Sequence, residues 1–396
     1  MAGLSERDRR LAHELSAGVL RFRRELDREL DLARADLRLH DVLRLGAYQL
    51  RRLARVPAHA AVSTSVELAR ETAGESAARY VNQALRRVAR VPRGLSGGRE
   101  SPGTHEPELT HPEWLVRRWR ARFGADETRR LLAWNDARPP LTLQPARWDL
   151  ATLSTRLTIA GVAAVAAPFD AGVRIAPSRP RELPGYDQGA FLVQDPAQAL
   201  VLRFAALPAG ARVYDACAAP GGKAVGLAVS GARVTAGEAR RERIDRLRDM
   251  VRRTGVAVRV IAADLLAAPF RAGTWDAVLV DAPCTATGTL ARHPDARWRR
   301  TAGAIGRIAE RQAALLDAAA ALVSRGGLLV YATCSLEAEE NEEQVKRFLR
   351  RHPEFGRAPT PGTVPAELLT ADGDFQSLPQ RHAIDGAYAV RVARRA

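Results

Sequence analysis

Two short stretches carry side chains whose chemistry stands apart from the rest of the chain. The first is residues 276–288, Asp-Ala-Val-Leu-Val-Asp-Ala-Pro-Cys-Thr-Ala-Thr-Gly. Its apolar, partly β-branched run at 277–280 stops abruptly at Asp281, Pro283 and Cys284, the pattern of a buried strand that delivers polar side chains at its carboxyl end. The second, residues 327–334 (Gly-Leu-Leu-Val-Tyr-Ala-Thr-Cys), ends in a cysteine in the same way. In an open α/β sheet, ligands sit at the carboxyl ends of the strands. A carboxylate and two thiols there suit attack by a thiolate, with a second group to move a proton. A free cysteine by itself is more often a small buried apolar residue; two at the ends of neighbouring strands are what point to chemistry.

A third stretch, Asp-Ala-Cys-Ala-Ala-Pro-Gly-Gly-Lys at 215–223, also follows an apolar run. Gly221 and Gly222 remove side chains where a ligand must approach backbone, and the helix expected after them offers free N–H groups to an anionic group. The next predicted strand ends in Glu238, an acid suited to gripping two ribose hydroxyls. The one after ends in Asp264, placed to meet an adenine amino group. Taken singly, each acid also fits a helix cap or a turn. Acids at the ends of successive strands, around a glycine loop without the full dinucleotide fingerprint, indicate S-adenosylmethionine as the ligand.

The elements that must position these residues alternate. Predicted strands at 213–216, 233–238, 258–264, 277–280 and 328–332 are separated by helices at 239–253 and 304–323, which implies a doubly wound, mostly parallel sheet. Ahead of it, residues 1–92 read as all-helical. Ser5 with Asp8 resembles a capping box, and Leu11, Leu15, Val19, Phe22, Leu26 and Leu30 follow at helical spacing. Further helices are expected at 42–53, 60–70 and 76–90. Residues 91–107, rich in Gly, Pro and Ser, have the composition of a linker. A helix is expected from Thr110-His111-Pro112, with Trp119 on its core face by periodicity. Residues 138–190 are irregular, and periodicity says little about them. The division expected is 1–92 helical domain, 93–110 linker, 111–190 pre-catalytic region and 191–396 catalytic domain.

Charge suggests the partner. The net charge is +16 at pH 7, and Lys223 and Lys346 are the only lysines, so arginine carries nearly all of the positive charge. A chain this basic suits a polyanion, and arginine suits phosphate forks and stacking on bases. Residues 1–100 hold 20 arginines against 13 acids, and Arg86, Arg87, Arg90 and Arg93 gather near the end of that segment, either as a solvated face or as an RNA contact. The longest mostly apolar stretch, 158–169, is too short to span a membrane. No secretory signal is read at the start. Three cysteines at 217, 284 and 334 form no metal-ligand pairs. A cytoplasmic protein with reduced thiols, no metal and no membrane partner is expected.

Four separated motifs, 215–223, 281–288 (Asp-Ala-Pro-Cys-Thr-Ala-Thr-Gly), 292–298 (Arg-His-Pro-Asp-Ala-Arg-Trp) and 331–335 (Tyr-Ala-Thr-Cys-Ser), together resemble the RsmB/NOP family of RNA cytosine-5 methyltransferases. The helical segment, with Asp8-Arg9-Arg10-Leu11-Ala12 and Tyr80-Val81-Asn82, is similar to the NusB-like RNA-binding domain of that family's bacterial small-subunit ribosomal RNA branch. Residues 111–124 and 189–195 resemble its pre-catalytic region. The resemblance implies a Rossmann-like class I methyltransferase domain behind an all-α NusB-like domain. Cys217, Ala218, Ala219, Pro220, Gly221, Gly222 and Lys223, with Glu238, Asp264 and Asp281, would contact S-adenosylmethionine. Cys334 would be the nucleophile at C6 of a cytosine, Cys284 the cysteine that assists release, and Asp281 the residue that holds the base. The implied partner is 16S ribosomal RNA or an early small-subunit particle, met by a monomer. Transfer RNA as substrate, or an inactive RNA-binding assembly factor, are the other readings. Five acids from Glu337 to Glu343 after Cys334 are expected to disfavour a thiolate, partly offset by the N-terminus of the following helix. His293 is expected to order its loop, and Arg297, Trp298, Arg299 and Arg300 either grip phosphate or are solvated. The pattern departs from the family at Glu238, where Asp is usual, and at Ala224, where Thr is typical.

Overall fold

The computed structural model describes residues 5–91 and 107–396. Most of the expected linker lies outside the described residues; its last residues form the 3-10 turn Pro107–Thr110. The chain divides into two compact units, residues 1–138 with 290–299, and residues 139–289 with 300–396. This partition groups the helices after residue 110 with the first ninety residues rather than with 139–190.

The first unit is helical: α1 (Glu6–Leu30), α2 (His40–Arg52), α3 (Ala58–Ala73), α4 (Glu75–Arg90), α5 (Glu113–Phe123) and α6 (Ala125–Asp136). Ser5 caps α1 as its sequence predicts, its Oγ accepting the Asp8 N–H at 3.2 Å and donating to the Asp8 carboxylate at 2.6 Å. Leu26, Leu30, Leu43, Val81 and Leu85 close the core between α1, α2 and α4. Gly18 lets α1 approach α2, since a Cβ there would stand 2.0 Å from the Tyr48 ring. Trp119 is fully buried, as periodicity predicts.

The segment 290–299 belongs to this helical unit, and it corrects the reading of its arginines. Arg297 is neither solvated nor free for phosphate. Its side chain is fully buried, donating to Asp136 Oδ1 at 2.7 Å, to the carbonyls of Arg21 (3.1 Å) and Thr110 (3.2 Å), and to that of Asn135. Trp298 donates from Nε1 to the Leu20 carbonyl at 2.6 Å. Arg299 is exposed and pairs with Asp295. His293 is exposed, and its backbone carbonyl accepts the Ala296 N–H at 3.0 Å.

The second unit holds two sheets. Strands β1 (Leu141–Pro145), β2 (Ala164–Ala166), β3 (Val173–Ile175) and β4 (Phe191–Val193) form a small antiparallel sheet in the order β2-β3-β1-β4. The larger sheet contains β5 (Arg212–Asp215), β6 (Arg233–Glu238), β7 (Val258–Ala262), β8 (Trp275–Asp281), β9 (Val323–Thr333), β10 (Phe355–Arg357), β11 (Phe375–Ser377) and β12 (Ala387–Arg394). Its order is β10-β12-β9-β8-β5-β6-β7, with β11 beside β12. The five strands β5 to β9 are mutually parallel, while β12 runs antiparallel to β9 and β10 and β11 run antiparallel to β12. Apolar runs without alternation suit β5, β6 and β8, which are covered on both faces. The chain steps from β5 outward to β7, then returns to lay β8 on the other side of β5. This reversal opens a crevice at the carboxyl ends of β5 and β8, the usual ligand position in such sheets. Among the described residues no helix is long and apolar enough to cross a membrane.

Candidate active site

Asp215 ends β5 and leads into the turn 216–221, which includes a cis Ala219–Pro220 peptide. Gly221, at φ +114°, occupies the left-handed region that disfavours side chains and starts the helix Gly222–Val229. A Cβ on Gly221 would stand 2.9 Å from Leu247 Cδ1, and one on Gly222 would stand 2.9 Å from Gln194 Nε2, so both glycines keep the loop bare. Glu238, at the end of β6, is buried. Its Oε1 accepts the Arg240 N–H at 2.9 Å, while Oε2 accepts no hydrogen bond and has the Arg243 guanidinium 3.4 Å away. Asp264 is exposed and caps a short turn by accepting the Leu266 N–H at 3.0 Å. The cap or turn role weighed from the sequence is thus present at both acids, a cap at Asp264 and a turn contact at Glu238.

Lys223, the second residue of the helix, reaches Asp281 Oδ2 at 2.7 Å and also donates to Gln198 Oε1. Burial, then the neighbouring Asp281 carboxylate, push Asp215 up to about 7. The Cys217 thiol is pushed up to about 12 by burial and by Asp215, Asp281 and Glu238, so it sits in the loop as a neutral group.

Strands β8 and β9 pair in parallel with Asp281 opposite Ala332, so the loops that follow them leave the sheet side by side. Cys284 and Cys334 meet there, sulfur to sulfur at 3.2 Å and as free thiols. The Cys284 thiol is held well above its ordinary value by its hydrogen bond to Cys334, by burial and by the nearby Glu340.

The sequence did not single out the residues that hold these loops. Glu340 is fully buried; its Oε1 accepts from Ser335 Oγ at 2.5 Å and from Thr285 Oγ1, its Oε2 from the Thr285 N–H at 2.9 Å and Gln312 Nε2 at 3.0 Å. Gln312 also donates to the Pro283 carbonyl at 3.0 Å, and the Gly288 N–H donates to the Cys334 carbonyl at 2.9 Å. Arg300 donates to the carbonyls of Cys284 and Thr285, each at 3.3 Å, so it braces the loop rather than standing free. The expected helix N-terminus behind Cys334 is displaced. A 3-10 turn, Ala338–Glu340, intervenes, and the helix Glu342–Arg351 starts eight residues after the cysteine. For Glu340 the only signal in the sequence was its place in an acidic run, which looks like a solvated face. Gln198 sits on the helix that Asp195 caps, and periodicity alone does not mark it.

A mostly parallel sheet with a glycine loop at its switch point and acids at successive strand ends defines a Rossmann-like fold. The comparisons narrow the class. Residues 204–393 match the model for 16S rRNA methyltransferase RsmB/F, residues 1–90 the NusB family and residues 111–180 the RsmF/B-like ferredoxin-like domain. Ribosomal RNA small subunit methyltransferase B of Pseudomonas putida is 34% identical over 99% of this chain and 92% of its own length. That of Vibrio cholerae is 32% identical over 96% and 88%. The solved structure of PH0851 superposes over 99% of this chain and 91% of its own, with a TM-score of 0.81 at 24% identity. NSun6 from Pyrococcus horikoshii superposes over 72% and 98%, with a TM-score of 0.63 at 19% identity. The chain belongs to the RsmB/F methyltransferase family, whose methyl donor is S-adenosylmethionine.

Proposed function

We propose that this protein methylates C5 of a cytosine in 16S ribosomal RNA through a transient bond between Cys334 and C6. The observation that carries the reading is the pair of free sulfurs at 3.2 Å, at the ends of adjacent parallel strands and beside Asp281. The names of the relatives, ribosomal RNA small subunit methyltransferase B, support ribosomal RNA as the substrate class. Work on that RNA goes with residence in the cytoplasm.

The bare loop at Gly221 and Gly222 and the Glu238 oxygen that accepts no hydrogen bond fit the donor. Residues 217–223, Glu238, Asp264 and Asp281 would hold it. When bound, it supplies an electrophilic methyl group. C5 of cytosine is a poor nucleophile, so the Cys334 sulfur first adds at C6 and turns C5 into an enamine-like carbon. With the proton kept on Cys284, the hydrogen bond between the sulfurs runs toward Cys334, the polarity a nucleophilic sulfur needs. Asp281, oriented by Lys223, accepts from the N4 amino group and holds the base, while a proton that water delivers to N3 neutralises the negative charge that sulfur addition pushes there and leaves again when the C6–S bond breaks. After C5 gains the methyl group, a base removes the C5 proton. The electrons of the C5–H bond form the C5–C6 double bond as those of the C6–S bond return to Cys334, and a water ordered by Cys284 takes the proton in this release step. The target base must leave its stack to reach the crevice, which favours naked or partly assembled RNA.

The RNA grip proposed for the helical unit lies along α4. Tyr80, Gln83, Arg86, Arg87 and Arg90 line a cleft of about 530 Å³, with ring and guanidinium groups suited to stacking and phosphate contact.

The test uses deproteinised 16S ribosomal RNA and, in parallel, transfer RNA, with labelled S-adenosylmethionine. Cys334→Ala abolishes methyl transfer while donor binding persists; retained turnover refutes the nucleophile. Cys284→Ala accumulates a protein–RNA adduct that survives denaturing electrophoresis, and absence of that band removes the release role.

A further inference from the structure

Two loops must keep register for the sulfurs to act together, and one buried carboxylate touches both. From the loop after β8, Thr285 gives Glu340 its N–H and its hydroxyl; from the loop after β9, Ser335 gives its hydroxyl; Gln312, on the helix Ala302–Leu322, gives its amide. Glu340 itself is anchored, since its carbonyl accepts Tyr331 Oη at 2.7 Å and the next residue, Asn341, exchanges bonds with Thr333 and Ser335. We propose that Glu340 is the positioning residue that clasps the two cysteine loops, so that a single buried group sets the separation of Cys284 and Cys334.

Four donors from three elements converge on its two oxygens. An ordinary surface acid could be replaced without consequence, whereas loss of this one strands a backbone N–H, an amide and two hydroxyls inside the protein, all at the thiol pair. The clasp also brings a negative charge close to the sulfurs. The other groups facing Cys284 are Cys334, the Tyr331 phenol, and Arg300 through its bonds to the carbonyls of Cys284 and Thr285. Of these, Glu340 is the one carboxylate that opposes a Cys284 thiolate. The acid therefore has two separable effects, register from its hydrogen bonds and proton retention from its charge.

The inference gains its catalytic meaning from the function proposed above, but its test reads the loops and thiols directly and needs no RNA. Glu340→Ala raises backbone hydrogen exchange about tenfold in peptides from both the 284–289 and the 334–340 loops, while the donor loop at 215–223 stays as in the wild type. Glu340→Gln keeps the shape and half of the acceptors, and its exchange stays near the wild-type level. Without the charge, its Cys284 is alkylated by iodoacetamide about threefold faster at pH 8, the rate-against-pH curve moving to lower pH. Release of one loop alone, or of neither, overturns the clasp. A Cys284 alkylation curve in Glu340→Gln that superposes on the wild type overturns the electrostatic part. If Glu340→Ala does not fold, the Gln curve decides. Should Cys334→Ala retain methyl transfer, the proposed function falls while these measurements stand.

Discussion

Arg297 offers a sharp test, because the sequence leaves it either gripping phosphate or solvated and the structure buries it. Its side chain is 0% exposed and that of its partner Asp136 is 6% exposed. Arg297→Ala removes the cation from a buried carboxylate and the donor from three backbone carbonyls. Breaking a buried ion pair from one side costs about 3–5 kcal/mol, because the remaining charge is left uncompensated. Asp136→Asn removes the other charge. In the double variant no carboxylate is stranded, so the cost falls short of the sum of the single changes by about 1–3 kcal/mol. The assay is urea unfolding of the full chain followed by tryptophan fluorescence, since Trp119 and Trp298 report the helical unit, paired with RNA binding at several salt concentrations. A loss below about 1 kcal/mol refutes the buried-pair argument. So does an intact fold with a weakened salt dependence of RNA binding, which would return Arg297 to the phosphates.

Three further predictions follow from the site and from α4. Asp215, ordinarily near 3.8, stands at about 7 in the fold, so the native state holds a proton that the unfolded chain releases across that window. Stability accordingly falls as pH rises from about 4 to 7, by at most about 4 kcal/mol, and Asp215→Asn flattens the slope in unfolding measured at each pH. At Gly288 a Cβ would stand 2.5 Å from the Gly386 carbonyl oxygen, so Gly288→Ala costs about 1–3 kcal/mol by thermal or urea unfolding; an unchanged midpoint would show that the two loops yield freely. Arg87→Gln with Arg90→Gln reduces the slope of log affinity against log salt by about 1–2 for single-stranded RNA, and an unchanged slope would return both residues to a solvated face.

The parallel core was legible because β5, β6 and β8 carry apolar runs covered on both faces and because its strands end in acids or lead into cysteines; β6 spans 233–238 as read from the sequence, while β7, expected as buried, has only half-buried and exposed residues. The antiparallel strands were not. β2, β3 and β4 are three residues long, too short to establish a period, and β12, Ala-Tyr-Ala-Val-Arg-Val-Ala-Arg, lies in a tail where no strand was expected. In the site, the cysteines, Asp281 and the glycine loop announced themselves by residue type and by position at strand ends. Glu340, Gln198 and Gln312 did not, because their work depends on which loops meet in space. Arg297 misled for the same reason. Beside Arg299 and Arg300 it looks like one more solvated cation, and burial depends on partners at 21, 110, 135 and 136.

The helical unit takes its last piece, residues 290–299, from far downstream of residue 138. On a growing chain the six helices emerge long before Arg297 exists, and at 5–20 residues per second the gap of about 160 residues corresponds to roughly 8–32 s. Throughout that interval the buried place of the Arg297 guanidinium beside Asp136 is unfilled, and the nascent bundle is unfinished. Biosynthesis thus imposes an order in which the front of the molecule matures only after the glycine loop and the first cysteine of the working pair have already left the ribosome.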